Sequence, residues 1–368
     1  MRLLILLCIA GISAAADAGA GVINPDISVV GQPFGMLTDE PGSPDRNRLR
    51  FDVGETEFVF DAYLNPYARG TFVLAVGDEG AELEEGFFVI VRGLPASLNL
   101  KGGKYRAGFG QLNPVHPHAY PFAERFGVLA AYLPGEESLN ETGLSVSGRI
   151  PLPGEVSLVA SGDWLQGDSF RIEREPTEDP EDPLAAGEGD GEDDARPAFL
   201  GRLAGFSMVG EQSGVGFGVS AAAGTNNVVA GTQTAVLGAD LKAKLWTSPL
   251  SYLHVQAEAF RSRIESARWE PGLGYEEDTI EPFGGYVFAD YNASRRYNIG
   301  ASYERYQRPE EGKPWNQALG VFAGYSILEE TTMVRADWVY SDPEDGEAVN
   351  AVTLRVIYSM GPHKAHQF

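Results

Sequence analysis

The strongest constraint in this sequence is a strict alternation of apolar and polar residues that recurs along most of the chain. Between residues 235 and 245 every odd position is Ala or Leu, whereas Asp240, Lys242 and Lys244 take even positions. Residues 253–259 and 352–360 repeat the pattern. Successive side chains of a strand point to opposite faces, whereas a helix would spread these apolar residues around its axis. The alternation therefore predicts strands with one apolar face and one polar face.

The spacing of these segments predicts how the strands are connected. We expect about sixteen strands, with short turns alternating with long loops along the chain. The predicted strands begin near residues 26, 48, 68, 82, 97, 142, 155, 198, 214, 232, 251, 279, 297, 316, 332 and 349. The predicted long loops are 36–47, 110–141, 165–197, 264–278, 307–315 and 341–348. An even number of antiparallel strands with such unequal connections is typical of a transmembrane β-barrel, and we predict that all-β fold class.

The N-terminus predicts export. Residues 1–18 combine Arg2, a short apolar run over 3–12 and small residues that permit cleavage after Ala16 or Ala18, as in a secretory signal peptide. The only cysteine, Cys8, lies in this leader, so the barrel of residues 19–368 is expected to hold no disulfide. We expect the mature chain in the outer membrane of a Gram-negative-type cell, with lipid as its partner.

Charge narrows the classes of ligand. The chain has 368 residues and a formal net charge of −24, which argues against nucleic acid, because a phosphate-binding surface must be positive. Many of the acidic residues fall in the loop 165–197, which has almost no apolar residues and is predicted to be disordered and extracellular. No nucleotide-binding loop, catalytic serine motif or zinc-protease motif occurs, so we expect neither an enzyme nor a required cofactor.

Charged residues on the polar faces are the candidates for a pore lining. Facing each other across a narrow lumen, they would set a transverse field that selects solutes. The alternative is a set of cross-strand ion pairs that merely fill the interior. The pore-lining candidates are Glu82, Glu84, Arg92, Lys104, Arg106, Lys242, Lys244 and Arg335.

A histidine pair is the candidate metal site. His116 and His118 are spaced as H-x-H, which in an extended backbone points both rings the same way. Such a pair can bind Zn²⁺ when a carboxylate such as Glu124 or another histidine joins it. The alternative is a rigid, proline-rich loop whose histidines hydrogen-bond locally.

Several stretches resemble bacterial outer-membrane proteins described as porin-like or as zinc-regulated TonB-dependent outer-membrane receptors. The likeness is densest over 81–150. The matching residues are 24–28, 82–85, 100–110, 112–113, 116–119 and 142–144. The resemblance implies an outer-membrane barrel with a link to metal uptake. A TonB-dependent transporter also needs a plug domain of more than about a hundred residues ahead of its barrel. Here the strand pattern follows the leader almost directly, so we expect no TonB coupling.

Three functions remain open at this stage. The first is a porin-like channel that passes small solutes or ions, for which a homotrimer is a common assembly. The second is a receptor for zinc or another divalent cation, with zinc as a bound solute at His116 and His118. The third is a secreted all-β binding protein, such as a carbohydrate-binding sandwich, which would be soluble without detergent.

Overall fold

A computed structural model describes residues 25–78, 80–135, 138–172, 196–270, 274–294, 296–328 and 331–361. The predicted signal peptide and most of the acidic loop 165–197 lie outside the described residues. Among those described, no helix is both long and apolar enough to cross a membrane. The described residues contain α1 (Gly127–Tyr132) and three single turns of 3₁₀ helix at Pro95–Ser97, Pro117–Ala119 and Asp168–Phe170.

Nineteen strand segments form one antiparallel sheet. In chain order they are β1 (Asp26–Gly31), β2 (Phe34–Thr38), β3 (Arg50–Asp52), β4 (Thr56–Asn65), β5 (Ala68–Gly77), β6 (Gly80–Ile90), β7 (Asn99–Arg106), β8 (Asn140–Ile150), β9 (Ser157–Leu165), β10 (Ala198–Val209), β11 (Ser213–Asn227), β12 (Thr232–Ser248), β13 (Ser251–Glu270), β14 (Gly274–Ile280), β15 (Phe283–Ala293), β16 (Tyr297–Gln307), β17 (Trp315–Leu328), β18 (Thr332–Pro343) and β19 (Val349–Met360).

The sheet closes into a barrel of sixteen strands. β1 pairs with β4 on one side and with β19 on the other, which joins the two ends of the chain and leaves no free edge. β2 continues β1, and β3 continues β4, each beyond a short break in the strand. β14 pairs only with the last part of β13, residues 264–270. These three segments therefore do not count as separate strands of the wall. The predicted all-β antiparallel barrel of about sixteen strands is confirmed.

The two faces of the wall differ as the alternation requires. On β12, Leu237 and Leu241 are 58 % and 48 % exposed on the outside, whereas Asp240 is 7 % exposed on the inside. Their partners across the sheet continue both faces, because Leu241 pairs with Phe217 and Asp240 pairs with Glu258. The barrel is therefore apolar outside and polar inside, which is the reverse of a soluble two-sheet sandwich.

The connections also follow the predicted asymmetry, with one exception. Most of the short turns, such as residues 66–67, 151–156 and 249–250, join the strands at one end of the barrel, and the longest connections lie at the opposite end. The exception is 264–278, predicted as a loop. The prediction of a loop there is wrong, because β13 extends to Glu270 and pairs with β14. The two strands form a hairpin that projects beyond the wall.

Candidate functional site

The connection between β7 and β8 folds into the barrel. We call the described part of this connection, residues 107–135 and 138–139, the interior segment. The fully buried Asn113 joins the two ends of this segment. The Asn113 amide donates to the carbonyls of Ala107 at 2.7 Å and Leu139 at 3.2 Å, and its oxygen accepts from the Leu139 N–H at 3.1 Å. This side chain therefore fixes both ends of the segment at the point where it leaves the wall.

One side of the interior segment packs on an apolar part of the inner wall. Phe122 and Phe126 meet wall aromatics: Phe122 lies 5.2 Å from Phe288 and 5.7 Å from Phe322 between ring centroids, and Phe126 lies 4.1 Å from Tyr286. The buried cluster continues through residues on β9 to β13. Burial of these aromatics is the main force that holds the segment inside the barrel, because each removes a large apolar area from water.

The rest of the segment is tied to the wall by polar contacts around the lumen. Backbone N–H groups of the segment donate to carboxylates that point inward from the strands. The backbone donors are Gln111 and Leu112 to Glu258 on β13 (3.1 and 2.9 Å), Ala123 to Asp337 on β18 (2.9 Å) and Val128 to Glu304 on β16 (3.0 Å). Two side chains also donate to the wall. The Gln111 amide donates to Asp240 on β12 at 2.6 Å, and the Tyr132 hydroxyl donates to the Gln307 carbonyl on β16 at 2.8 Å. The inward carboxylates therefore serve in part as anchors for this segment.

Two glycines permit the close approach of segment and wall. Gly110 has φ +63°, and a Cβ there would meet the Glu258 carboxylate. A Cβ on Gly238 of β12 would lie 2.6 Å from the Phe109 ring. Only glycine combines the left-handed backbone at 110 with the lack of a side chain that this contact needs.

A β-bulge on β6 turns two consecutive carboxylates inward. Val73 of β5 pairs with Glu85 and Leu74 pairs with Leu83, which leaves Glu84 as the extra residue. A bulge places two residues opposite one and re-aims a side chain. Glu84 and Glu85 are both buried, Arg106 forms an ion pair with Glu84, and the Arg106 N–H donates to Glu85 at 2.9 Å.

His116 and His118 reach this same part of the wall. His118 Nδ1 lies 2.8 Å from Glu57 Oε1 on β4, and His116 Nε2 lies 2.9 Å from Glu85 Oε2. Burial alone would lower the pKa of His116, but the carboxylates of Glu57, Glu84 and Glu85 around it raise that pKa well above its usual range. The segment is therefore held here by histidine–carboxylate contacts.

The carboxylate that joins the two histidines is Glu57 rather than the predicted Glu124. Ligand atoms of Glu57, His116 and His118 lie within 4.8 Å of one another, the one group of three or more possible metal-ligating residues found among the described residues. Glu124 instead accepts from Arg355 on β19 at 3.2 Å. The prediction that Glu124 joins the pair is wrong, because the chain turns at Pro117–Ala119 and carries Glu124 towards another strand.

A polar cavity remains beside the interior segment. Its volume is about 300 Å³. Charged residues of both signs line it together with the backbone near Pro117. They are Arg106, Arg125 and Arg355, and Glu55 and Glu124. The cavity beside the segment therefore carries opposite charges at close range.

The other pore-lining candidates occupy different positions. Lys242, Lys244 and Arg335 lie on the inward face of β12 and β18, and Arg335 stands directly opposite Arg355 in the sheet.

Three of the candidates lie outside the buried inner wall. Lys104 donates to Glu82 at 2.9 Å in a pair whose Glu82 side chain is largely exposed. Arg92 is exposed in the connection after β6, at the short-turn end. Sequence reasoning missed Glu57 as a member of the site and Glu85 as an inward residue, since only the bulge reveals the latter.

Comparisons with known proteins identify the fold. No family model matches the chain. A protein of Aquifex aeolicus described as an uncharacterized protein is 29 % identical over 365 residues, which cover 92 % of this chain and 72 % of that protein.

Solved structures share the architecture at low identity. The anion-selective porin from Comamonas acidovorans aligns with TM-score 0.61 and 10 % identity, over 92 % of this chain and all of that one. The outer-membrane channel DcaP of Acinetobacter baumannii aligns with TM-score 0.57 and 13 % identity, over 94 % of this chain and 99 % of that one. The trimer form of OmpT, an outer-membrane protein of Vibrio cholerae, aligns with TM-score 0.54 and 12 % identity, over 92 % of this chain and 100 % of that one. At such identities the likeness is one of fold: this chain has the barrel of the porins.

Proposed function

We propose that this protein is a porin-like channel of an outer membrane, through which small hydrophilic solutes or ions diffuse past the interior segment. The observation that carries the proposal is the polar cavity beside that segment, inside a closed barrel whose outer face is apolar. A wall of this kind suits lipid outside and water inside. The similar solved structures described as porins and channels support the same function.

The charged cavity wall is the proposed selectivity element. Arg106, Arg125 and Arg355 lie close to Glu55 and Glu124 around a space of about 300 Å³. Charges focused in a narrow passage act strongly on a permeating ion, because little water is present to screen them. The inward Lys242, Lys244 and Arg335 extend this field along the lumen.

Single-channel recording tests the proposal. The mature protein, extracted from membranes, is first shown to be a closed barrel by faster gel mobility before boiling than after it. Incorporated into planar bilayers, it should give steady conductance steps in KCl. Folded protein that inserts but gives no steps would refute the channel.

A trimer is the assembly we propose for this channel. The trimer form of OmpT from Vibrio cholerae shows that a barrel of the same fold is found in that state. Light scattering of the detergent-solubilised protein should give three chains per particle, and conductance should then appear in groups of three equal steps. A single-chain particle with single steps would contradict it.

A second candidate is a receptor for a divalent cation. The observation that favours it is the meeting of His116 and His118 with Glu57 inside the lumen. The two functions separate in the same recordings, because an open pore conducts without metal whereas a receptor responds to metal by closing.

A further inference from the structure

The formal charges around the polar cavity beside the interior segment balance. Three arginines line the cavity, and two glutamates, Glu55 and Glu124, line it with them. Glu84, which forms an ion pair with Arg106, supplies a third negative charge behind the wall. A simple anion or cation bound in this confined space would leave one charge uncompensated, which is unfavourable. The charges therefore favour an occupant that is neutral overall.

One end of the cavity offers unused hydrogen-bond donors. Arg355 lines the cavity with a side chain that is only 8 % exposed, and the buried Arg335 stands directly opposite it in the sheet. Arg355 Nε and Arg335 Nε and Nη1 are buried and have no hydrogen-bond partner among the described residues. Like charges directly opposite each other destabilise a sheet, and guanidinium groups bind carboxylates through paired hydrogen bonds. This end of the cavity therefore suits a carboxylate.

Acceptors lie beside these donors. Ala123 of the interior segment lines the cavity, and its N–H donates to Asp337 Oδ1 at 2.9 Å. The second oxygen, Asp337 Oδ2, is buried and has no hydrogen-bond partner in the described part of the chain. Glu124, the next residue of the segment, also lines the cavity and accepts from Arg355 at 3.2 Å. A buried acceptor without a donor is costly, so a group with several N–H donors, such as an ammonium, suits this position.

Size and polarity together define one class of occupant. A volume of about 300 Å³ lies at the lower end of the range for ligand pockets, so the occupant is small. It has to supply a carboxylate and an ammonium group a few bonds apart and to carry no net charge. An amino acid in its zwitterionic form meets all these conditions. An uncharged molecule of the same size lacks both charges, and the anion of a carboxylic acid lacks the ammonium group.

We propose that this cavity binds small zwitterions of the amino-acid class as they pass through the barrel. Arg335 and Arg355 hold the carboxylate, and Glu124 and Asp337 accept from the ammonium group. A site built from such groups discriminates against a solute that leaves them unpaired. Binding raises the flux of a permeating solute as long as the site is weak enough to release it. The inference rests on the proposed channel, because the solute is bound in transit.

Swelling of proteoliposomes in alanine and in lactamide tests the inference. The two probes are isomers, and only alanine is a zwitterion at neutral pH. One net hydrogen bond is worth about a factor of three to ten, so the parent should admit alanine at least about threefold faster than lactamide. Arg355→Gln removes the carboxylate end of the site and Glu124→Gln the ammonium end, and either should make the two rates similar. Arg92→Gln, in an exposed arginine at the short-turn end, is the matched control and should keep the parent preference.

The outcomes separate the site from the channel. Equal rates for the two isomers in the parent, as expected if only water fills the cavity, would overturn the zwitterion site and keep the channel. A preference for alanine that both cavity variants retain would also overturn the site. Folded barrels that admit neither solute would reject the channel function itself, and transit through the cavity with it. Gel mobility before and after boiling confirms that each variant is folded, and Glu124→Gln, in a side chain that is largely exposed, keeps the test available if Arg355→Gln does not fold.

Discussion

Leu241→Arg tests whether the apolar outer face meets lipid. Leu241 lies near the middle of β12, is 48 % exposed and points outward beside Phe217. If the outer face contacts the hydrocarbon core, an arginine at this height costs about 2–4 kcal/mol of folding free energy. Because about 1.4 kcal/mol corresponds to a factor of ten, the folded population relative to the unfolded one should fall by about 30- to 900-fold.

Gln233→Arg is the matched control. Gln233 lies on the same strand with the same outward alternation, eight residues towards the long-loop end. Eight residues at about 3.3 Å each, along a strand tilted about 40°, place it roughly 20 Å higher, at the membrane surface, where arginine costs at most about 1 kcal/mol. Both variants are unfolded with urea in phospholipid vesicles and followed by tryptophan fluorescence. Equal stability of the two variants would refute the assignment of this face to lipid.

Three further perturbations probe the interior. Asn113→Ala removes three buried hydrogen bonds at the base of the interior segment and should cost about 1–3 kcal/mol in the same unfolding assay; an unchanged midpoint would show that the aromatic packing alone fixes the segment. Arg106→Gln removes one positive charge from the cavity wall and should shift the reversal potential in a KCl gradient towards cation preference; an unchanged potential would place Arg106 off the permeation path. Gly110→Ala forces a Cβ against the Glu258 carboxylate and should raise the open-channel noise, whereas a current trace like that of the parent would contradict the tight seating of the segment.

The barrel wall could be predicted almost completely from the sequence. Strand starts at 26, 68, 198, 232 and 251 agree with the structure, because each lies where the period-two pattern begins after turn-forming residues. The failure at 264–278 has a simple cause. Charged residues take both odd and even positions in this hairpin, as Glu265 and Arg268 show, so it lacks the alternation that marks a strand in the wall.

The site was only partly predictable. The H-x-H spacing predicted that the rings of His116 and His118 point the same way, and their centroids lie 5.7 Å apart. Their carboxylate partners are distant in sequence: Glu57 lies 59 positions before His116, and Glu85 lies 31 positions before it. No local pattern encodes such pairings. Glu124 lies only a few positions after the histidines, but the chain turns at Pro117–Ala119 and its carboxylate meets Arg355 on β19 instead.

The sequence by itself determined the number of wall strands, the division of each strand into an apolar and a polar face, and the end that carries the long loops. These follow from a period of two and from turn residues, which act over a few positions. Only the tertiary structure decided that the interior segment enters the lumen, and that a bulge turns Glu84 and Glu85 towards His116. Closure of the barrel brings distant strands around that segment, and the segment is held there by aromatic burial and inward carboxylates contributed from around the wall.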